Sequence, residues 1–211
     1  HVSARPTTLA FVRLTGGQAS YMFYDEGTAG RMLTEADLPP LETSVTAMLF
    51  GAISLIAEPC GTAYESLMRR EYASRVIMLD PNIRPDFIPD RELHRKRMTR
   101  LVAMSDIVKL SDEDLSWFDE QGSTDEVARR WLGKGPKLIL LTHGGDGASG
   151  YTARHSVTIP ARKVAVADTV GAGDTFNAGV LAALDEKNLL TKQALAELSE
   201  DQIAAALELG V

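Results

Sequence analysis

Gly171-Ala172-Gly173, followed at once by Asp174, is the stretch of this 211-residue chain best suited to chemistry. It opens a predicted helix over residues 172–184. Three small residues at a helix start let several backbone N–H groups converge on one point with no side chain in the way. Together with the positive end of the helix dipole they make an anion site, and a phosphate suits it. Asp174 falls in the first turn, where the same dipole stabilises its carboxylate. An acid so close would repel the anion unless it faces something else. It makes chemical sense as a base that takes the proton of an attacking hydroxyl while the amides of Gly171, Ala172 and Gly173 stabilise charge on the transferring group. Small residues further along, Ala178, Gly179, Ala182 and Ala183, let the helix lie close to its neighbours. The same four opening residues also suit a plain glycine turn with an acid in a helix's first turn, and taken alone the spacing leaves both readings standing.

The elements that must position this stretch alternate along the chain. Residues 7–14 and 19–24 read as two strands around Gly16-Gly17, a β-hairpin. Beyond Pro39-Pro40 comes an apolar run at 45–49, a helix near 59–74, a strand at 76–79, a helix at 90–104 and a strand at 107–110. Helices at 112–118 and 124–133 and a strand at 137–142 continue the rhythm, which predicts a mostly parallel sheet with helices on both faces. A glycine-rich turn (HGGDGASG) then leads to a second hairpin, 151–154 with 156–159, and two helices, 172–184 and 192–209, close the pattern. With no internal repeat or linker, residues 1–211 read as one α/β domain with a hairpin appendage.

Composition narrows the partners. A net charge of -7 leaves no concentrated basic face for nucleic acid or an anionic membrane, so small molecules are expected. Arg91, Arg95, Lys96, Arg97 and Arg100 form one dense basic run, read as a solvated helix face. The single cysteine, Cys60, excludes an internal disulfide and fits a reducing cytoplasm. No apolar stretch reaches the roughly 18 residues that span a bilayer. Gly145, Gly147 and Gly150 satisfy a dinucleotide-binding spacing, but hairpin-like sequence follows them where that motif needs a helix.

The longer string Asp168 to Leu184 resembles the second signature of the ribokinase (PfkB) family of carbohydrate kinases. The resemblance implies an α/β fold, a mostly parallel central sheet flanked by helices and covered by a small β lid, with residues 7–28 in or beside the lid. It implies ATP-dependent phosphorylation of a sugar, with ATP and Mg²⁺, and K⁺ as a further ion. Asp80-Pro81-Asn82-Ile83-Arg84-Pro85 is similar to a strand-end segment of fructokinases and 2-keto-3-deoxygluconate kinases, which places Asn82 near the nucleotide phosphates and Arg84 on the substrate or transferring phosphate. Lys109 to Leu115 is similar to a strand-to-helix segment near the nucleotide, with Lys109 on the nucleotide and either Asp112 or Glu113 in the Mg²⁺ shell. Thr142, Gly144 and Gly147 match the nucleotide-binding turn, and Asp168 and Val170 match a loop whose oxygens hold the monovalent ion.

Relative to that family the chain starts at a point matching its middle, so the N-terminal strands that grip the sugar are expected to be missing, together with the end of the adenine pocket. Phe23-Tyr24-Asp25 stands where the ketodeoxygluconate kinases place Tyr-Tyr-Arg, which puts Tyr24 beside the substrate. An acid at position 25 opposes an acid sugar, so fructose is the expected acceptor, with 2-keto-3-deoxygluconate or a ribose-type sugar as alternatives. A homodimer through the lid is expected from the resemblance alone. A different class of function, a non-catalytic binding or scaffold protein on a kinase fold, is the competing expectation.

Overall fold

The computed structural model describes residues 2–15, 18–166 and 168–211. A two-stranded antiparallel sheet, β1 (Leu9–Thr15) and β2 (Gln18–Tyr24), stands apart from a six-stranded sheet in sequential order. The predicted Gly16-Gly17 turn lies outside the described residues. In the larger sheet β3 (Ala47–Gly51), β4 (Val76–Asp80), β5 (Ile107–Ser111) and β6 (Leu138–Thr142) run parallel, and β7 (Ala148–Tyr151) and β8 (Ser156–Ile159) continue it antiparallel. The parallel strands are apolar on both sides because both faces are covered.

Side-chain alternation divides these strands between two cores. Ile77, Leu79, Val108, Leu110, Ile139 and Leu141 face the crossover helices α1 (Cys60–Glu71), α2 (Arg91–Ala103), α3 (Asp112–Trp117) and α4 (Thr124–Leu132). Right-handed crossovers that advance in one direction deliver all four to that side. Val76, Met78, Ile107, Leu138 and Leu140 face the opposite side, covered by α5 (Ala172–Glu186), α6 (Lys192–Ala196) and α7 (Glu200–Gly210).

Two boundaries depart from expectation. The second hairpin begins at Ala148, not Tyr151, because Ala148, Ser149 and Gly150 pair with β6 and are buried, and the bare α-carbon of Gly150 admits Ile203 from α7. The expected closing helix 192–209 is two helices, broken where Ser199 caps α7 by accepting from the Gln202 N–H while the Gln202 side chain accepts from Ser199 N–H. That capping box was present in the sequence. α5 and α7 approach closely: a Cβ on Gly179 would collide with the Leu209 carbonyl oxygen.

The basic run on α2 is also more than a solvated face. Arg97 is buried and holds α2 to α1 and its approach, bonding Glu58, Glu65, Thr62 and the Leu55 carbonyl, while Arg100 forms a two-pronged contact with Glu65. The Arg100 hydrogen bond, with Arg97 adding to it, holds the Glu65 carboxyl below the usual carboxylate range.

His94 on the same helix is buried edge-on to Trp117, and burial, reinforced by the Arg97 charge, lowers its pKa to about 4. The native state therefore refuses a proton that the unfolded chain accepts below about pH 6.5. Its contribution to stability is complete above that pH and is lost as pH falls from 6.5 towards 4, up to about 3 kcal/mol. Urea midpoints at pH 7.5 and pH 5.0 should show this drop in the wild type and a smaller one in His94→Phe. Equal drops would remove His94 as its source. Among the described residues no helix is long and apolar enough to cross a membrane.

Candidate functional site

The C-terminal ends of β4, β5 and β6 and the start of α5 meet at one edge of the fold, where open α/β sheets receive ligands. Gly171, the residue before α5, has φ 78° and ψ 2°, a left-handed conformation that favours glycine. With the Ala172 N–H donating to Thr169 O at 3.2 Å it forms the third corner of a type II turn. The expected cradle is thereby altered in detail, since the Ala172 amide is already used. Among the described residues the N–H groups of Gly173 and Asp174 have no acceptor, so these amides, not that of Ala172, are available to an anion.

Beneath this turn lies a buried polar cluster that joins Lys109, expected on the nucleotide, to Asp80 and Asn177, which sequence reasoning left without a role. Asn177, one turn into α5, donates from Nδ2 to Asp80 Oδ2 at 2.7 Å, and Lys109 Nζ lies 3.4 Å from the same oxygen. All three side chains are nearly inaccessible. Burial pushes the Asp80 carboxyl up, opposed mainly by the Lys109 ammonium. Lys109 Nζ would also lie 3.4 Å from a Cβ on Gly173, so a cation sits directly below the first turn of α5. Lys109 is therefore a support for the cradle and not an exposed ligand contact. The signal for the cluster was the strand alternation, which puts a charged residue on the inward face at both Asp80 and Lys109.

Asp80, Asn82, Asp174 and Asn177 line one cavity of about 440 Å³, closed on the other side by Met48 to Gly51 and by Tyr64 and Leu67 of α1. Asp174 itself is exposed, as a base meeting a substrate must be. Asn82 sits just past β4 with φ 42°, a left-handed conformation that Asn tolerates better than other side chains with a Cβ. Asp174 and Asn177, far in sequence from Asp80 and Asn82, thus share one wall with them.

Other expected residues fall elsewhere. Arg84 does not line that cavity: it bonds the Ile83 carbonyl at 3.0 Å and lies 5.7 Å over the Tyr21 ring of the hairpin. Phe23 packs edge-on to Phe87 at 4.9 Å. Strand alternation therefore turns Tyr21 and Phe23 inward and corrects the placing of Tyr24, which is 57% exposed on the outer face beside Phe11. Asp25 is ion-paired with Arg31 at 3.0 Å, so its charge is answered within the hairpin.

Neither expected Mg²⁺ acid is set apart for a metal. The Asp112 carboxylate takes His143 Nδ1 at 3.0 Å, and Glu113 is exposed with no partner among the described residues. The buried acid of that turn is Asp114, which accepts from Ile83 N–H at 2.7 Å and from Ser111 N–H at 2.8 Å. Among the described residues no group of three or more His, Cys, Asp or Glu could hold a metal. Asp168 Oδ1 accepts from Val170 N–H at 3.0 Å, and both residues are exposed. Thr142 ends β6, its Oγ1 3.5 Å from Leu110 O. Gly144 is exposed at φ 53°, while Gly147 is buried at φ 112°, where any Cβ would strike the Ile159 carbonyl.

A mostly parallel sheet whose strand ends meet a helix start with unengaged amides has the layout in which α/β folds receive anionic ligands. The chain belongs to the pfkB family of carbohydrate kinases, whose model matches residues 1–203. It is 58% identical over 202 residues to a fructokinase of Rhizobium leguminosarum bv. trifolii, covering 96% of this chain and 62% of that protein. An aminoimidazole riboside kinase of Salmonella enterica, solved with aminoimidazole riboside and an ATP analogue, superposes with a TM-score of 0.75 at 26% identity, over 90% of this chain and 63% of its own. A fructokinase of Xylella fastidiosa with bound ATP has the same ribokinase-like fold, with a TM-score of 0.84 at 23% identity over 99% of this chain and 66% of the other. The chain thus spans somewhat less than two thirds of the length of that Rhizobium fructokinase.

Proposed function

We propose that the protein transfers the γ-phosphate of ATP to a hydroxyl of fructose. The observation that carries this reading is the pairing of an exposed Asp174 on the cavity wall with unengaged amides at Gly173 and Asp174 in the same helix turn. Similarity to a fructokinase at 58% identity supports the choice of acceptor, and the Asp25 argument adds little once Arg31 is seen to pair with it.

In this reading the acceptor hydroxyl lies in the cavity against Asp174, which takes its proton as the oxygen bonds to the γ-phosphorus and ADP departs. The amides of Gly173 and Asp174, the α5 dipole and the Lys109 ammonium beneath them hold the negative charge of the transferring group. The nucleotide lies along Asn82 and the Thr142–Gly147 turn, and Arg84, held over Tyr21 outside the cavity, reaches the phosphate only by leaving that ring. Mg²⁺ bound with the nucleotide would supply neutralisation of the phosphate charge there. The hairpin covers the reaction from water. Its outer face exposes Leu9, Phe11, Met22 and Tyr24, an apolar patch suited to a second copy of the chain.

An ADP-release assay with fructose, ribose and 2-keto-3-deoxygluconate tests the assignment. Fructose should give the largest stimulation. Stimulation chiefly by another sugar would move the substrate and keep the kinase, whereas none with any acceptor would favour a binding or scaffold role.

A further inference from the structure

Four polar side chains form a continuous line across the nucleotide side of the sheet. Asp112 follows β5 and His143 follows β6, and because Ser111 and Thr142 are paired in register, the two residues emerge side by side from adjacent strands. Asp112 Oδ1 meets His143 Nδ1 at 3.0 Å. On the other edge of the ring, His143 Nε2 meets Ser149 Oγ on β7 at 3.3 Å, and Ser149 Oγ meets Thr158 Oγ1 on β8 at 2.9 Å. One imidazole thus bridges the turn after β5 to the last two strands of the sheet. An acid, an imidazole and a serine in series also occur in hydrolases, but here Ser149 is buried between His143 and Thr158, so it cannot reach a substrate.

The bridge bears directly on the glycine turn. His143 supplies the backbone ends of that turn, its N–H donating to Gly147 O at 2.8 Å and its carbonyl accepting from Asp146 N–H at 3.0 Å. Gly144 and Gly145 have nothing within 4 Å of where a Cβ would be, so apart from one long backbone bond, Gly147 N–H to Gly144 O at 3.3 Å, the middle of the turn is held through its base. A loop of exposed glycines loses much freedom on binding a ligand, and whatever fixes it beforehand raises affinity.

We propose that His143 is a positioning residue that pre-sets the Gly144–Gly147 turn for an adenine nucleotide, acting through Asp112 on one side and Ser149 on the other. The inference rests on the nucleotide lying along that turn. His143 acts through the turn's backbone and takes no part in phosphoryl transfer, so its loss should weaken nucleotide binding and spare the transfer step.

Calorimetric titration of ADP into the purified chain tests this. His143→Ala should weaken ADP binding about tenfold and Asp112→Ala by a similar factor, while the double variant should be no weaker than either, because both cut the same line. Asp112→Asn, which retains an oxygen to accept the Nδ1 proton, should restore most of the affinity. In a preparation that turns over, His143→Ala should raise KM for ATP with kcat within about twofold of wild type. Amide hydrogen exchange on the ligand-free chain should quicken at Gly144–Gly147 and stay unchanged within β6, which separates a loosened turn from general unfolding. If the wild type binds ADP and His143→Ala binds it equally well, or if the two alanine effects simply add, the positioning role is overturned. A wild type that binds no ADP overturns instead the placing of the nucleotide on this turn, and the inference with it.

Discussion

Asp174→Asn is expected to lower the rate of phosphoryl transfer by about two orders of magnitude or more, with ADP affinity within about twofold of wild type. A hundredfold loss corresponds to about 2.7 kcal/mol of transition-state stabilisation. Asn has almost the same shape but cannot accept the hydroxyl proton, so the variant isolates the base from its setting. Asp174 is exposed and makes no side-chain hydrogen bond among the described residues, so the substitution breaks nothing that holds α5 in place. Nucleotide binding should survive because the amides of Gly173 and Asp174 are backbone groups that Asn also supplies. Steady-state turnover alongside calorimetric ADP binding reads both quantities. Unchanged turnover would remove Asp174 as the base, whereas joint loss of turnover and binding would make it a structural support.

Lys109→Met should destabilise the fold by about 3–5 kcal/mol, the cost of leaving a buried carboxylate without its counter-charge. Asp80 is only 4% exposed, at the cavity wall under α5, and its remaining bond to Asn177 does not replace a full charge. Against a typical total of about 5–15 kcal/mol this could unfold the chain outright. The double variant Asp80→Asn with Lys109→Met keeps the idea testable, because removing both charges together should recover most of the loss. Urea unfolding of the three proteins is the measurement. A single variant within about 1 kcal/mol of wild type would show that the pair carries little energy. If the double variant also folds but binds ADP weakly, the cation beneath the helix start matters to the anion as well as to the fold.

What the sequence disclosed and what it withheld divide along physical lines. Local signals were readable: buried strands as short apolar runs, and the glycine-acid helix start. The break before Ser199 was equally local and was passed over because helical apolar spacing runs through it. Lateral relations were not readable. Nothing in residues 80, 109 and 177 alone says that they meet, since they converge only when β4 and β5 lie side by side beneath α5. The same holds for Asp112 with His143, and for Arg97 with Glu58 and Glu65. Tyr24 was misplaced because its direction depends on which hairpin face meets Arg84 and Phe87, a matter of docking and not of strand propensity.

The contact at Gly179 reaches further than its size suggests. Because the Leu209 carbonyl occupies the space a methyl group would need, the spacing between α5 and α7 is set by bare backbone, with no flexible side chain to absorb error. Even an alanine there would act as a wedge five residues downstream of Asp174, tilting the carboxylate relative to the strand ends. Tolerance to mutation on this side of the sheet should accordingly be governed by alignment and not by hydrophobicity.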